Sequence, residues 1–593
     1  MKTPARHLIW PLLLAAVAMR LAFPCADPPF EYGPLNYTIT GELFTFEGNA
    51  WSQDARNKAL FGEWVMDKWP TSLLMPLHNL ASYLSFSLFG VGLWQVRLPS
   101  MVFGVLTTVL LFAVMRRSED DRTGLMTAFL WGVNYLAVAL NKTALIESGL
   151  IFTTVAAFAC WHLGRKTAVG HLLFGVAAVL CVLYKPTGLI IPATGVCVYL
   201  SGILRDRGWR NAAWFAAGVG LTGLLYLALF HSRLAEIFTF YKLIGNSWRP
   251  KTTIDVIMSG GTFMVSRYFF IRQPLLFITA LLWLGWCLSR LAADPDGPGS
   301  PASQALPSGN ACVQAIRRLG RVLGRLDPAD LYLALWFLFG LAMPLVEGGQ
   351  NPMLRRYMFL LPPMAVMGAK LLNAVLAPGA GPAIHPRMSR AVLFLVGYVA
   401  CFSLLRMVFF PDLAAFRGAH VRPFFLVFLT AVLAGLLCGR LDGVARRLLG
   451  RLAMRKTAFV AGLLCLYGLF QAGQVTAWAA GRHYTIYESN RRLAAIDALQ
   501  SPVIMAGNTL TITASFLSGY RTLVVGSPPA YMNWRQILES PQIEYYLLNR
   551  APYMEDNPIM MPFLTRYPNA VPVAEVIVGR RKATIYRKVA TAP

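Results

Sequence analysis

Apolar runs of membrane-crossing length recur along the chain as far as Ala477, separated by short polar connections rich in arginine. An α-helix needs about 20 residues to cross the ~30 Å hydrocarbon core of a bilayer. By that measure spans are predicted near 8–24, 98–115, 123–141, 148–163, 171–184, 187–204, 211–230, 274–290, 329–346, 357–376, 391–410, 423–439 and 458–476, about thirteen crossings. The basic connections fall on alternate sides of successive spans: Arg116, Arg117 and Arg122; Arg165 and Lys166; Arg205, Arg207 and Arg210; Arg317 to Arg325; Arg387 and Arg390; and Arg440 to Lys456. The positive-inside bias puts them all, with the N-terminus, on the cytoplasmic side. The stretch 71–91 is apolar enough to span, but counting it would move Arg116 and Arg117 outside and reverse every later loop. It is predicted instead to lie in the interface as an amphipathic helix, which His78, Asn79 and the flanking Pro70 and Pro76 favour.

An odd number of crossings leaves 478–593 on the extracytoplasmic side, and the Pro, Gly and Ser-rich stretch 294–310 becomes a flexible cytoplasmic loop. The texture changes in the tail. Strand-like segments at 503–506, 522–525, 544–548, 574–578 and 583–586 alternate with helical ones around 490–499 and 534–539, which predicts a small α/β domain. The expected organisation is therefore an α-helical polytopic membrane domain over 1–477, whose first outer loop, 25–97, carries interfacial helices, followed by an extracytoplasmic α/β domain over 478–593. That tail carries no P-loop, GxGxxG or GxSxG motif, and its plain reading is a lid or docking module.

Composition agrees with the pattern. Of 593 residues 56% are hydrophobic and 14% charged, which excludes a disordered chain and an ordinary cytosolic enzyme. The net charge of +26 would suggest a polyanion partner in a soluble protein, but here the excess collects in the cytoplasmic loops, so nucleic acid is not among the expected partners. The nine cysteines form no CxxC or Cys/His spacing and imply neither a disulfide framework nor a zinc site. The N-terminal run has the outline of a signal peptide, yet Arg20 inside it and the poor cleavage site favour an uncleaved first span.

Candidate chemistry gathers on the outer side. The loop 25–97 holds the densest acidic group of the chain, Glu31, Glu42, Glu47, Asp54, Glu63 and Asp67, among aromatics (Phe44, Phe46, Trp51, Phe61, Trp64, Trp69) that suit packing onto a membrane surface. The run 45–49 followed by Asp54 to Asn57 reads as a turn leading into a short surface helix. A carboxylate at the edge of a low-dielectric region can have a raised pKa and serve as a general base; ordinary solvated acids are the competing reading. The next outer loop, 141–147, places Glu147 at the mouth of the following span. Arg97, Lys185, Arg355 and Arg356 break the inside bias, and four outer cations at one depth would suit a membrane-embedded phosphate. Snorkelling at span ends explains any one of them alone. Asn36 and Asn141 each open an N-x-T glycosylation pattern.

At these residues the chain resembles the GT-C superfamily of polytopic glycosyltransferases, in the branch of the protein O-mannosyltransferases and the lipid A aminoarabinose transferase. The ordered set that carries the likeness is the acidic first outer loop, the in-plane helix, Leu88-Phe89-Gly90 through Arg97-Leu98-Pro99-Ser100, Glu147, Lys185 before a Pro/Gly pair, and Arg355-Arg356-Tyr357 with Pro362 and Pro363. The resemblance implies transfer of a hexosyl or pentosyl unit from a polyprenyl-phosphate carrier on the outer face, with inversion at the anomeric carbon, to a lipid, glycan or protein acceptor; the compact loops and the lack of a eukaryotic retention signal point to a bacterial inner membrane. It assigns the acceptor-activating carboxylate to the first loop, and the departing lipid phosphate to Arg97, Lys185, Arg355, Arg356 and Tyr357. The family motif usually reads Asp-Glu, whereas here Phe46 precedes Glu47. Glu47 is the expected base, with Asp54 or Glu42 as substitutes, and Glu147 is the second acid that organises the site. Glu47 and Glu147 together would be the carboxylates to hold a divalent metal, a cofactor the branch does not uniformly need. The alternatives are a transporter or flippase of lipid-linked glycan, and an inactive relative that binds such a lipid.

Overall fold

The computed structural model describes residues 5–27, 51–64, 71–206, 208–238, 273–292, 326–346, 358–377, 386–409, 421–441, 456–496, 504–507, 521–524, 543–549, 560–578 and 581–589. It is mainly helical. In chain order the helices are α1 (Ala5–Leu21), α2 (Gln53–Phe61), α3 (Thr71–Leu74), α4 (Pro76–Phe89), α5 (Leu93–Ser118), α6 (Asp121–Gly132), α7 (Tyr135–Asn141), α8 (Glu147–Gly164), α9 (Ala168–Tyr184), α10 (Ile190–Asp206), α11 (Trp209–Phe230), α12 (Pro274–Ala292), α13 (Pro328–Val346), α14 (Leu361–Leu376), α15 (Pro386–Phe409), α16 (Val421–Arg440), α17 (Lys456–Ala480), α18 (Thr485–Ala494) and α19 (Met560–Arg566). Among the described residues five helices are long and apolar enough to cross a membrane, six if one bent pair counts as a span, and six shorter apolar helices stand beside them.

Each apolar stretch of the sequence coincides with a helix, with one informative departure. The stretch 123–141 is not a single rod: α6 and α7 meet at 61°. The bend frees backbone groups that lipid cannot satisfy, and buried side chains from distant helices take them over. Tyr467 Oη donates to the Leu130 carbonyl (2.7 Å), and the Tyr135 amide donates to Gln471 Oε1 (2.7 Å). Asn134 caps α7 through the Ala137 amide (3.0 Å) while its own amide group donates to Gln273 and to Tyr467, both at 2.8 Å. The network is uncharged, and it fixes a bend that periodicity alone reads as continuous helix.

The segment 71–91 forms two helices, α3 and α4, with Pro76 opening the second where its missing N–H costs nothing. Helix α4 is amphipathic in the inverse sense. Its polar His78, Ser82 and Ser85 share the buried face at i, i+4 and i+7, and Leu80, Leu84 and Leu88 are exposed at i, i+4 and i+8. In water this arrangement would be unfavourable; against an apolar medium it is the expected one. The same holds for α11, where Leu221, Leu224, Leu225 and Leu229 face outward.

The tail builds one five-stranded sheet from β1 (Ile504–Gly507), β2 (Arg521–Val524), β3 (Ile543–Asn549), β4 (Val571–Val578) and β5 (Arg581–Arg587), in the order β2-β1-β3-β5-β4. Strand β1 pairs parallel with β2 and β3; β5 pairs antiparallel with β3 and β4. All five strands lie where alternation predicts them. The helix expected around 490–499 starts earlier, at Thr485, because a distant carboxylate caps it there, and the one expected at 534–539 lies outside the described residues. Apolar side chains of α18 and of the sheet (Ile486, Leu493, Tyr545, Leu547, Ile585) close into one cluster with Ala55, Phe86, Val96 and Ala144. The tail thereby shares a core with α2, α4, α5 and the 141–147 loop, next to the candidate acids Asp54 and Glu147.

Candidate functional site

Helix α2 opens at Ser52 and closes at Gly62, whose φ of 77° supplies the left-handed turn, with its amide donating to the Lys58 carbonyl. Its first five residues, Gln53 to Asn57, are buried although two are polar amides and two are charged. Buried charge persists only with partners. Asp54 Oδ2 accepts from the Ser72 amide (2.8 Å), one of the orphan N–H groups at the start of α3, and so ties α2 to the in-plane pair. Arg56, fully buried, reaches Asn57 Oδ1 at 3.3 Å.

Ser52 is the next tie. Its hydroxyl lies 3.0 Å from both His78 Nε2 and Ser82 Oγ on the buried face of α4. The His78 ring meets the Tyr184 ring edge-on, with centroids 5.9 Å apart. Burial pushes the His78 pKa down to about 4, against the pull of Glu147, which favours the charged form. His78 is therefore a neutral imidazole at physiological pH. Its Nδ1 is buried and makes no hydrogen bond among the described residues.

From Tyr184 the chain leads straight to the ion pair. Tyr184 ends α9, Lys185 turns into extended backbone, and Lys185 Nζ donates to Glu147 Oε1 at 2.7 Å. Glu147 is the first residue of α8, where the helix dipole favours a negative charge. The approach needs Gly149, since a Cβ there would stand 1.9 Å from Tyr184 Cζ. The sequence reading named Glu147 and Lys185 separately; the structure brings them into contact.

Arg97 and Lys142 occupy the neighbouring ground and hold backbone. Arg97, buried on the first turns of α5, donates through Nη1 to the carbonyls of Pro24 and Ala26, both at 2.7 Å. One turn on, Ser100 Oγ donates to the Leu145 carbonyl at 3.2 Å and ties α5 to the loop before Glu147. Lys142 donates to the carbonyls of Arg20 (3.1 Å) and Ala22, with its ammonium 4.8 Å from the Trp478 ring centroid. Burial, with Arg97 and Arg20 nearby, pulls the Lys142 pKa down to about 7. Carbonyls just beyond α1 thus meet two cations, complementing the negative end of that helix. Asn141 is buried as well, its Oδ1 accepting from Arg20 Nε at 2.9 Å in space left by Gly104, so this glycosylation pattern belongs to the interior.

Of the residues expected from the sequence, Asp54 on α2, Arg97 on α5, Glu147 on α8 and Lys185 after α9 are described, and the structure pairs Glu147 with Lys185. Glu47, Arg355, Arg356 and Tyr357 lie outside the described residues. Sequence reasoning missed Ser52, His78, Ser82 and Lys142 as members of this group; the polar i, i+4, i+7 stripe inside an apolar stretch was the available signal for two of them. Among the described residues no three His, Cys, Asp or Glu side chains group to hold a cation; Glu47, the expected partner of Glu147 for a divalent metal, lies outside them.

Comparisons with known proteins converge on one branch. Residues 73–235 match the family described as dolichyl-phosphate-mannose-protein mannosyltransferase, a match that begins in α3 and runs past Glu147 and Lys185. Undecaprenyl phosphate-alpha-4-amino-4-deoxy-L-arabinose arabinosyl transferase of Pseudomonas aeruginosa strain UCBPP-PA14 is 25% identical over 302 residues, 48% of this chain and 51% of the relative. The enzyme of strain LESB58 is 27% identical over 216 residues, covering 35% of this chain and 38% of that one. The chain thus matches between 38% and 51% of the length of these two relatives. The crystal structure of ArnT from Cupriavidus metallidurans bound to undecaprenyl phosphate superposes over 99% of both chains with a TM-score of 0.55 at 15% identity, and its apo state does the same. The resemblance to the GT-C superfamily, in the protein mannosyltransferase and aminoarabinose transferase branch, holds in sequence and in fold.

Proposed function

We propose that the chain is a membrane-embedded glycosyltransferase that moves a sugar from a polyprenyl-phosphate carrier to an acceptor on the outer face of a bacterial inner membrane, with its N-terminus cytoplasmic and its tail extracytoplasmic. The observation that carries the reading is the Glu147–Lys185 pair, which borders α4 through the His78–Tyr184 ring contact, with Ser52 joining α4 to α2. An ion pair at the ends of two apolar helices, close to a helix α4 whose exposed face is Leu80, Leu84 and Leu88, suits a ligand with a charged phosphate and a lipid tail.

In this reading the acceptor hydroxyl attacks the anomeric carbon as the bond from that carbon to the phosphate oxygen breaks. Its proton passes to a carboxylate of the first outer loop, for which we assign Glu47, and polyprenyl phosphate departs with the bonding electrons. Lys185 offsets the charge that develops on the phosphate, joined by Arg355, Arg356 and Tyr357. Glu147 holds Lys185 in place, Asp54 fixes α3 against α2, and Arg97 sets the turn from which the first loop departs. The donor sugar and the acceptor class, whether lipid, glycan or protein, follow from assay.

The test is turnover of the full chain in lipid nanodiscs with a panel of polyprenyl-phosphate sugars and candidate acceptors, following released polyprenyl phosphate by mass spectrometry. Wild type is expected to release it, Glu47→Gln to lose release, and Asp54→Asn to retain part. Folded wild type that binds the lipid yet releases nothing across the panel would replace the enzyme reading with that of a binding protein or flippase.

A further inference from the structure

The turn between α1 and the first outer loop contains an unusual residue. Phe23 has φ 53°, the left-handed region that a bulky L-residue rarely adopts, and it is the one positive-φ non-glycine among the described residues. Such a conformation persists only where its surroundings over-determine it. Here they come from the far end of the chain: the Phe23 ring packs edge-on to Trp478 (6.2 Å) and lies under the guanidinium of Arg482 (4.1 Å). Four residues on, the buried Asp27 uses every polar group it has on the same segment. Its amide donates to the His483 carbonyl (2.7 Å) and its carbonyl accepts from Trp478 Nε1 (3.1 Å). Oδ2 accepts from the Thr485 amide (3.0 Å) and hydroxyl (2.6 Å), and Oδ1 from the Ile486 amide (3.0 Å). A side chain 458 residues away in sequence thus caps α18, a role an adjacent Ser, Thr or Asp ordinarily fills.

Helix α18 passes that constraint on. Arg492 Nη1 donates to the Glu575 carbonyl of β4 at 3.1 Å, and Ser489 Oγ donates to the Ile577 carbonyl. Its inner residues Ile486 and Leu493 share a cluster with Ala55, the neighbour of Asp54, and with Ala144, three residues before Glu147. We propose that Asp27 is a positioning residue for the transfer site: by fixing α18 it makes the tail the support that holds α2 and the 141–147 loop in their working arrangement. The tail is then part of the site's framework and not an appended docking module. This rests on the proposed transferase reading for its consequence in turnover, and on packing alone for its consequence in order.

The experiment compares wild type, Asp27→Ala and Thr485→Val as full chains in nanodiscs, by hydrogen exchange, undecaprenyl phosphate binding and donor turnover. Asp27→Ala is expected to raise exchange at 53–61 and 141–147 by about tenfold or more while α5 and α8 keep their protection. It should lower kcat by about tenfold with undecaprenyl phosphate affinity within about threefold of wild type, because the groups stay present but lose their alignment. Thr485→Val, which deletes a single bond, should show a smaller change in the same segments and keeps the test open should Asp27→Ala fail to fold. Wild-type exchange at both segments in the folded variants overturns the proposal. If wild type turns over no donor, the transferase reading fails while the exchange data still decide the latch.

Discussion

Lys185 Nζ and Glu147 Oε1 lie 2.7 Å apart because Gly149 lets the Tyr184 ring rest against the start of α8. The contact joins two residues 38 apart in sequence through a third whose only contribution is the absence of a side chain. Gly149→Ala is therefore expected to force Tyr184 away and cost about 1–3 kcal/mol, as over-packing does. Thermal unfolding in nanodiscs measures the loss, and a variant as stable as wild type would mean that Tyr184 swings aside freely.

The pair itself is unequal, since Glu147 is buried and Lys185 only partly so. Removing the cation takes the ammonium from a buried carboxylate, so Lys185→Met should destabilise by about 3 kcal/mol, more than Glu147→Gln, which leaves an ammonium that reaches water. The double variant is expected to recover part of the Lys185→Met loss. Strict additivity in the double-mutant cycle would deny the coupling.

His78 gives an acid-side signature. Its pKa falls from about 6.5 in the unfolded chain to about 4 in the folded one, so between those values the unfolded chain binds more protons. Stability should rise with pH across that window and be lost as pH falls through it. A His78→Gln variant, which keeps a donor for Ser52, is expected to have a flatter profile between pH 4 and 6.5; an unchanged slope would assign the proton uptake elsewhere.

Lys142 gives the alkaline counterpart. Burial takes it from 10.5 to about 7, so the folded chain releases a proton that the unfolded chain keeps up to about pH 10. Its contribution makes stability rise with pH from about 7 to about 10, the reverse of a lysine gaining a salt bridge. Comparison of unfolding midpoints for wild type and Lys142→Met between pH 7 and 10 checks the sign. A wild-type curve that falls more steeply than the variant's would refute it.

Much of the fold is legible in the pattern of apolar positions, and the reasons are local. Hydrophobic run length finds the helices from α5 to α17, and alternation finds all five tail strands. The bend at Asn134 is not legible, because what makes it tolerable is side chains from Gln273, Tyr467 and Gln471, residues that no local window contains. The site divides along the same line. Charges out of place for their side of the membrane draw attention to Lys185 and Arg97, and an acid at a span mouth to Glu147. What each charge touches is a matter of tertiary approach: Lys185 meets a carboxylate, whereas Arg97 meets the carbonyls of Pro24 and Ala26. His78 escaped notice as chemistry because a polar stripe inside an apolar stretch reads first as an interfacial helix.

The bend between α6 and α7 also dictates an order of events in biogenesis. Asn134 and Tyr467 are 333 residues apart, and Tyr135 and Gln471 are 336 apart, so these partners of the broken helix leave the ribosome only after every other predicted span. Until α17 enters the membrane the bend carries backbone groups that hydrocarbon does not satisfy, at a cost of several kcal/mol each. Insertion of that final helix is then a ratchet: a nascent chain stalled before Lys456 should leave the amide of Tyr135 open to exchange, and a completed chain should close it for good.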